Sequence, residues 1–238
     1  MGISEEEIAG ELRGLIFRLH GRMAAGKPVW VEKSGFDLFH VEALTGLLAG
    51  HARFVVMLRH PLDTIASNLD LMARMGRALP EMLPFLAAHP APVEALARAW
   101  ADRVGAVLDF AEGREDVLVY RFEDLLEDPL AVLARITGHL GAAQFDAAGL
   151  QAALAAPARP GLGDWKTHGE TALNPAAVGR SQMAISRRAA GGLMAHLAPV
   201  MARAGYDPIP VPRALSRAEA IRQFGAAARL AARPGPAA

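Results

Sequence analysis

The sequence predicts an α/β domain with a parallel sheet flanked by helices. Two observations lead there. Three short runs rich in Val, Phe and Tyr, at 28–32, 54–59 and 117–122, are separated by much longer Ala/Leu-rich segments of helical period. The chain has 238 residues and is 52% hydrophobic against 21% charged, which suits one large domain or two small ones and excludes bulk disorder. Strands that alternate with helices imply parallel pairing, with helices covering both faces.

Taken in order, Ser4-x-x-Glu7 is a capping box that opens a helix over 4–24. The run 28–32 is the first strand, followed by a helix over 38–49. The strand 54–59 runs into Pro61, which pre-sets the first turn of a helix over 62–77. A helix over 91–111 leads to the strand 117–122, and Pro129 opens a helix over 129–141. Residues 157–187 have no clear period, and long aperiodic loops in compact domains are usually functional or disordered. Further helices are expected at 188–204 and 216–232. The division that follows is a domain over 1–207 and a C-terminal helical extension over 208–238.

Charge and cysteine content narrow the function. Lys plus Arg and Asp plus Glu both number 25, so no global field draws the chain to nucleic acid or anionic lipid, and an anion site must be local. The absence of cysteine removes disulfides, thiolate metal sites and cysteine nucleophiles, and it suits a reducing compartment. No signal-peptide pattern and no apolar run long enough to span a bilayer occur, so a cytoplasmic chain without a membrane span is the expectation.

Ligands of such sheets bind where strands end and helices begin. The spacing Gly21-x-x-x-x-Gly26-Lys27 resembles a nucleotide-binding P-loop, but Pro28 replaces the required Ser or Thr and the order of helix and strand is inverted, so a helix end and turn is expected. Arg59 stands at the end of the second strand, and Ser67 lies in the helix after it. Together they suit one anion at a helix N-terminus. The same spacing equally allows an Arg59–Asp63 pair with Ser67 on an ordinary helix. Glu32 and Lys33 follow the first strand, a general base beside a charge-stabilising cation or simply an exposed strand end; His40 is a second candidate base. Phe122 ends the third strand and opens an acidic turn, Glu123-Asp124-Leu125-Leu126-Glu127-Asp128-Pro129, where it stacks on a base ring or joins the core. In the late loop, Gly161-Leu162-Gly163-Asp164-Trp165-Lys166 is an anion-wrapping loop or a turn around a buried Trp.

In this order the units resemble the sulfotransferases that use 3′-phosphoadenosine 5′-phosphosulfate (PAPS), from about Pro28 to Tyr206. Arg59 and Ser67, eight residues apart, match the family's 3′-phosphate element. Phe122 through Pro129 matches its Tyr-Glu-Asp-Leu-x-x-Asp-Pro turn, with Phe in place of the Tyr that meets adenine. Gly163, Trp165 and Lys166 match its Gly-Asp-Trp-Lys loop, with Arg159 as the preceding basic residue, and Glu32-Lys33-Ser34 matches its Glu-Lys-Ser/Thr. The resemblance implies a P-loop-kinase-like fold and sulfuryl transfer from PAPS to a hydroxyl or amine on a small molecule, glycan or peptide, with no metal. Glu32 and Lys33 would be the catalytic residues, and Arg59, Ser67, Phe122, Arg159, Gly163, Trp165 and Lys166 would bind the donor.

One departure from the family is serious. Nothing before Pro28 matches the first strand and the loop that cradles the 5′-phosphosulfate. A truncated chain, a misassigned start, a partner chain or second copy that completes the site, and an inactive relative that binds adenosine 3′,5′-bisphosphate weakly or serves as an interaction module all remain open. The missing strand would be central, so exposed apolar surface and association are expected. A nucleotide kinase of similar architecture is a further alternative.

Overall fold

The computed structural model describes residues 2–27, 29–33, 35, 37–48, 50–144, 146–156, 172–179, 181 and 185–209. Helix α1 (Glu5–Ala24) opens on Ser4, whose hydroxyl accepts from the Glu7 N–H while the Glu7 carboxylate takes the Ser4 N–H, the reciprocal box expected. It ends at Ala25 and Gly26, both at positive φ (48° and 81°), so the Gly21–Lys27 spacing is a helix end and turn. A 3₁₀ turn (Asp37–Phe39) and a short helix α2 (Val41–Leu48) follow.

Strand β1 (Phe54–Leu58) pairs in parallel with β2 (Val117–Arg121), in a register that sets Leu58 opposite Arg121. The crossover runs through α3 (Pro61–Met75), α4 (Leu83–Ala88) and α5 (Pro92–Ala111). After β2 come α6 (Phe122–Glu127), α7 (Pro129–Leu140), α8 (Ala147–Ala155) and α9 (Arg187–Arg203). Pro stands in the first turn of α3, α5 and α7, where its missing N–H has no helical partner to lose.

The core lies between β1, α3, α5 and α9. On α5, Leu96, Trp100 and Val104 recur every four residues, and on α9 Leu193, Leu197 and Met201 do the same, so the two buried stripes face each other. Leu197, Met201 and Ile65 are completely buried.

The α/β class holds, with three differences. Residues 29–33 form no strand; the sheet of the described residues is β1-β2 alone, and an extended segment becomes a strand only through a ladder partner. Glu32 and Lys33 therefore sit in an exposed irregular segment and not at a strand end. Among the described residues the sheet is also not covered on both faces. Val55 and Met57 alternate with inward-facing Val56 and Leu58, and they remain 36% and 46% exposed. Finally, the acidic turn after β2 is a helix, α6, and two further helices, α4 and α8, lie where none was expected.

Candidate functional site

Because β1 and β2 end in register, the first residues past them, Arg59 and Phe122, emerge side by side at the carboxyl end of the sheet. The Arg59 guanidinium lies 5.0 Å from the centre of the Phe122 ring, within cation–π range. Its Nη2 donates to the Ala177 carbonyl at 2.6 Å. Its Nε is buried and has no hydrogen-bond partner among the described residues. The Arg59 backbone is held from α5, where Trp100 Nε1 donates to its carbonyl at 3.2 Å.

Asp63, in the first turn of α3, does not pair with Arg59 in the way the second sequence reading allowed. It is 2% exposed, and its carboxylate accepts the N–H of Gly179 at 2.7 Å and of Ser181 at 2.8 Å. One buried anion thereby fixes the segment that carries Ala177 against α3. Ser67 sits half-buried on the second turn of α3.

A second carboxylate ties the two strand ends together. Glu123, at the start of α6, accepts the His60 N–H at 2.9 Å and the Tyr206 hydroxyl at 2.8 Å. Tyr206 reaches it because α9 closes in a Schellman turn: Gly205 (φ 75°) lets Tyr206 N–H bond the Met201 carbonyl at 2.8 Å and Gly205 N–H bond that of Ala202 at 3.2 Å. A residue with a Cβ would be strained at that φ. Burial first, and then donation to Glu123, hold the Tyr206 phenol far above its ordinary range, so it stays a neutral donor. Beside it, Arg121 grips Asp124 through Nε at 3.0 Å and donates from Nη1 to the Gly205 carbonyl at 2.5 Å. That grip lowers the Asp124 pKa and raises that of Arg121.

The His60 ring stands edge-on to Tyr206, with centroids 5.5 Å apart. Burial pushes its pKa below the usual 6.5, against the opposing pull of Asp63 and Glu123. The folded state thus refuses a proton that the unfolded state accepts just below pH 6.5, so stability falls as the pH drops through that value. The lowered Asp124 carboxylate titrates further into acid. Melting temperatures taken between about pH 7.5 and 5 are therefore expected to decline, and His60→Asn is expected to flatten the curve. An unaltered slope in the variant would remove His60 as the cause.

Of the residues picked out from sequence, the structure brings Arg59 and Phe122 together. Glu32 is exposed, with its carboxylate 3.3 Å from Trp30 Nε1 and 3.9 Å from His20 Nε2. Arg159, Gly163, Trp165 and Lys166 lie outside the described residues, as does the expected helix over 216–232. Sequence reasoning missed the joint made by Glu123, His60 and Tyr206. The Ala-Gly-Tyr at the end of α9 signals the helix stop, but nothing local marks Tyr206 as a partner of Glu123. Among the described residues no group of His, Asp and Glu could hold a metal ion, and no helix is long and apolar enough to cross a membrane.

Comparisons with known proteins agree on this architecture. No curated protein matches the chain. The sulfotransferase domain from the curacin biosynthetic pathway superposes with a TM-score of 0.57 at 17% identity, over 82% of this chain and 69% of that one. The sulfotransferase domain from the Synechococcus PCC 7002 olefin synthase gives 0.54 at 23% identity, over 82% of this chain and 64% of that one. At such identities the likeness is one of fold, and the chain spans about two thirds of the length of those structures. Residues 4–146, more than half of the chain and including both strands with Arg59 and Phe122 at their ends, match the model of the sulfotransferase family, and the chain belongs to that family.

Proposed function

We propose that the chain transfers a sulfuryl group from PAPS to a hydroxyl or amine acceptor. The observation that carries this reading is Arg59: a guanidinium at the carboxyl end of a parallel strand pair, its Nε buried and unpaired among the described residues, beside an aromatic ring. A buried donor without a partner is costly unless a ligand satisfies it, and a fork of N–H groups matches a phosphate. Arg59 and Ser67 hold the 3′-phosphate, and Phe122 offers its ring to the adenine. Arg159, Gly163, Trp165 and Lys166 complete the nucleotide contacts.

When bound, PAPS supplies an activated sulfuryl group. The chain's own contribution is positioning and charge neutralisation. Glu32 accepts the acceptor's proton, and Lys33 with Lys166 offsets developing negative charge. The solvent exposure of Glu32 keeps its carboxylate available to an incoming acceptor. The cytoplasm, as the compartment, is part of the same proposal.

The test is calorimetric titration of the whole chain with adenosine 3′,5′-bisphosphate and, separately, with ATP–Mg²⁺, followed by transfer of labelled sulfuryl groups from PAPS to a panel of alcohols and amines. Saturable binding of the bisphosphate, with label transfer, is the expected result. Binding of ATP–Mg²⁺ alone would overturn the donor assignment, and bisphosphate binding without transfer to any acceptor would overturn catalysis.

A further inference from the structure

The first helix has one face turned toward its neighbours and, among the described residues, a second, apolar face left without a partner. Ala9, Arg13, Ile16, His20 and Ala24 fall on the shielded side, where Arg13 Nε donates to the Leu47 carbonyl of α2 at 2.6 Å. About 100° around the axis, Ile8, Leu12, Leu15 and Leu19 form a second stripe, each between 46% and 49% exposed. Their spacings of four, three and four residues are those of a coiled-coil seam, which a lone helix in water has no reason to keep.

The charges beside the stripe identify what fits it. The first half of α1 carries Glu5, Glu6, Glu7 and Glu11, and its only cation, Arg13, is turned toward α2. The second half carries Arg18 and Arg22, with Lys27 just beyond. An acidic half followed by a basic half is complementary to itself when reversed. In an antiparallel pair, Ile8 of one copy meets Leu19 of the other and Leu12 meets Leu15, so all four seam residues find apolar partners. In that same register Glu11 flanks the seam opposite Arg18 of the other copy, twice over by symmetry. Both side chains are exposed and have no ion-pair partner among the described residues. Opposed helix dipoles add to the preference.

We propose that α1 is a self-association surface through which two copies of this chain form an antiparallel helix pair. The reading is independent of the catalytic proposal, because Arg59 and the strand ends take no part in it. A pair of helices about 30 Å long buries less than a standard interface, so the dimer is weak and concentration-dependent.

Sedimentation velocity of the whole chain between about 5 and 200 µM is expected to show monomer passing to dimer. Leu12→Glu with Leu15→Glu places like charges in the seam and is expected to leave monomer throughout; both positions are exposed, and an unchanged circular dichroism spectrum verifies the fold. Glu11→Arg and Arg18→Glu, made singly, are each expected to weaken the dimer about 10-fold, and the two together to restore it. A wild-type chain that stays monomeric, a dimer that survives both leucine changes, or a double charge reversal no stronger than the singles would each overturn the proposal.

Discussion

Arg59→Ala is expected to weaken binding of adenosine 3′,5′-bisphosphate by about 10- to 100-fold, since charge-assisted hydrogen bonds contribute about 1.5–3 kcal/mol each. The folded chain should change little, because Arg59 gives up one bond to the Ala177 carbonyl and one ring contact with Phe122. Arg59→Lys separates charge from shape. It keeps the cation but loses the planar fork and the Nε donor, so an affinity between those of wild type and the alanine variant is expected. Calorimetry on the three proteins provides the comparison. Equal affinity in all three would mean that the 3′-phosphate is held elsewhere.

Asp63→Ala acts on the scaffold of the same site. The carboxylate is buried and accepts two backbone N–H groups, from Gly179 and Ser181, both more than a hundred residues away in sequence. Truncation leaves both donors without their partner, at about 1–3 kcal/mol for the buried Ser181 N–H and less for the half-buried Gly179 N–H. For a chain of this size that corresponds to a fall in melting temperature of roughly 5–15 °C. Asp63→Asn retains one acceptor oxygen but brings an NH₂ group against a backbone donor, so it should recover only part of the loss. Limited proteolysis should report cleavage between 172 and 185 before the rest of the chain opens. An alanine variant that melts within about 2 °C of wild type would show that the two N–H groups find other partners.

The elements legible in the sequence are those whose partners are declared by periodicity. The runs that became β1 and β2 are short, apolar and β-branched, and α5, α7 and α9 combine a buried stripe with an N-terminal Pro or Ser. The segment 29–33 has the composition of a strand, but composition does not supply a ladder, and without one it stays irregular. The last of the missed helices, α8, is Ala-rich and weakly amphipathic; its signal was the N-cap, Asp146, which accepts from Gly149 N–H at 2.7 Å. In the site, Arg59 and Phe122 were legible because each directly follows a strand and the parallel register brings them together. Glu123 was visible as a motif residue, yet its role depends on Tyr206, 83 positions later, a contact that only the docking of α9 creates.

The hydrogen bonds that close the strand ends also order the site in time. Arg59 to Ala177 and Asp63 to Ser181 each span 118 residues, and Glu123 to Tyr206 spans 83. A ribosome releases β1 and β2 well before α9, so the nascent chain has its sheet and Arg59 but neither the Ala177 carbonyl nor the Tyr206 hydroxyl. Contacts of such range can close only after both partners have left the ribosome. The Arg59 end of the sheet is therefore among the last parts of the protein to be assembled, and synthesis must pass residue 206 before the strand ends are closed.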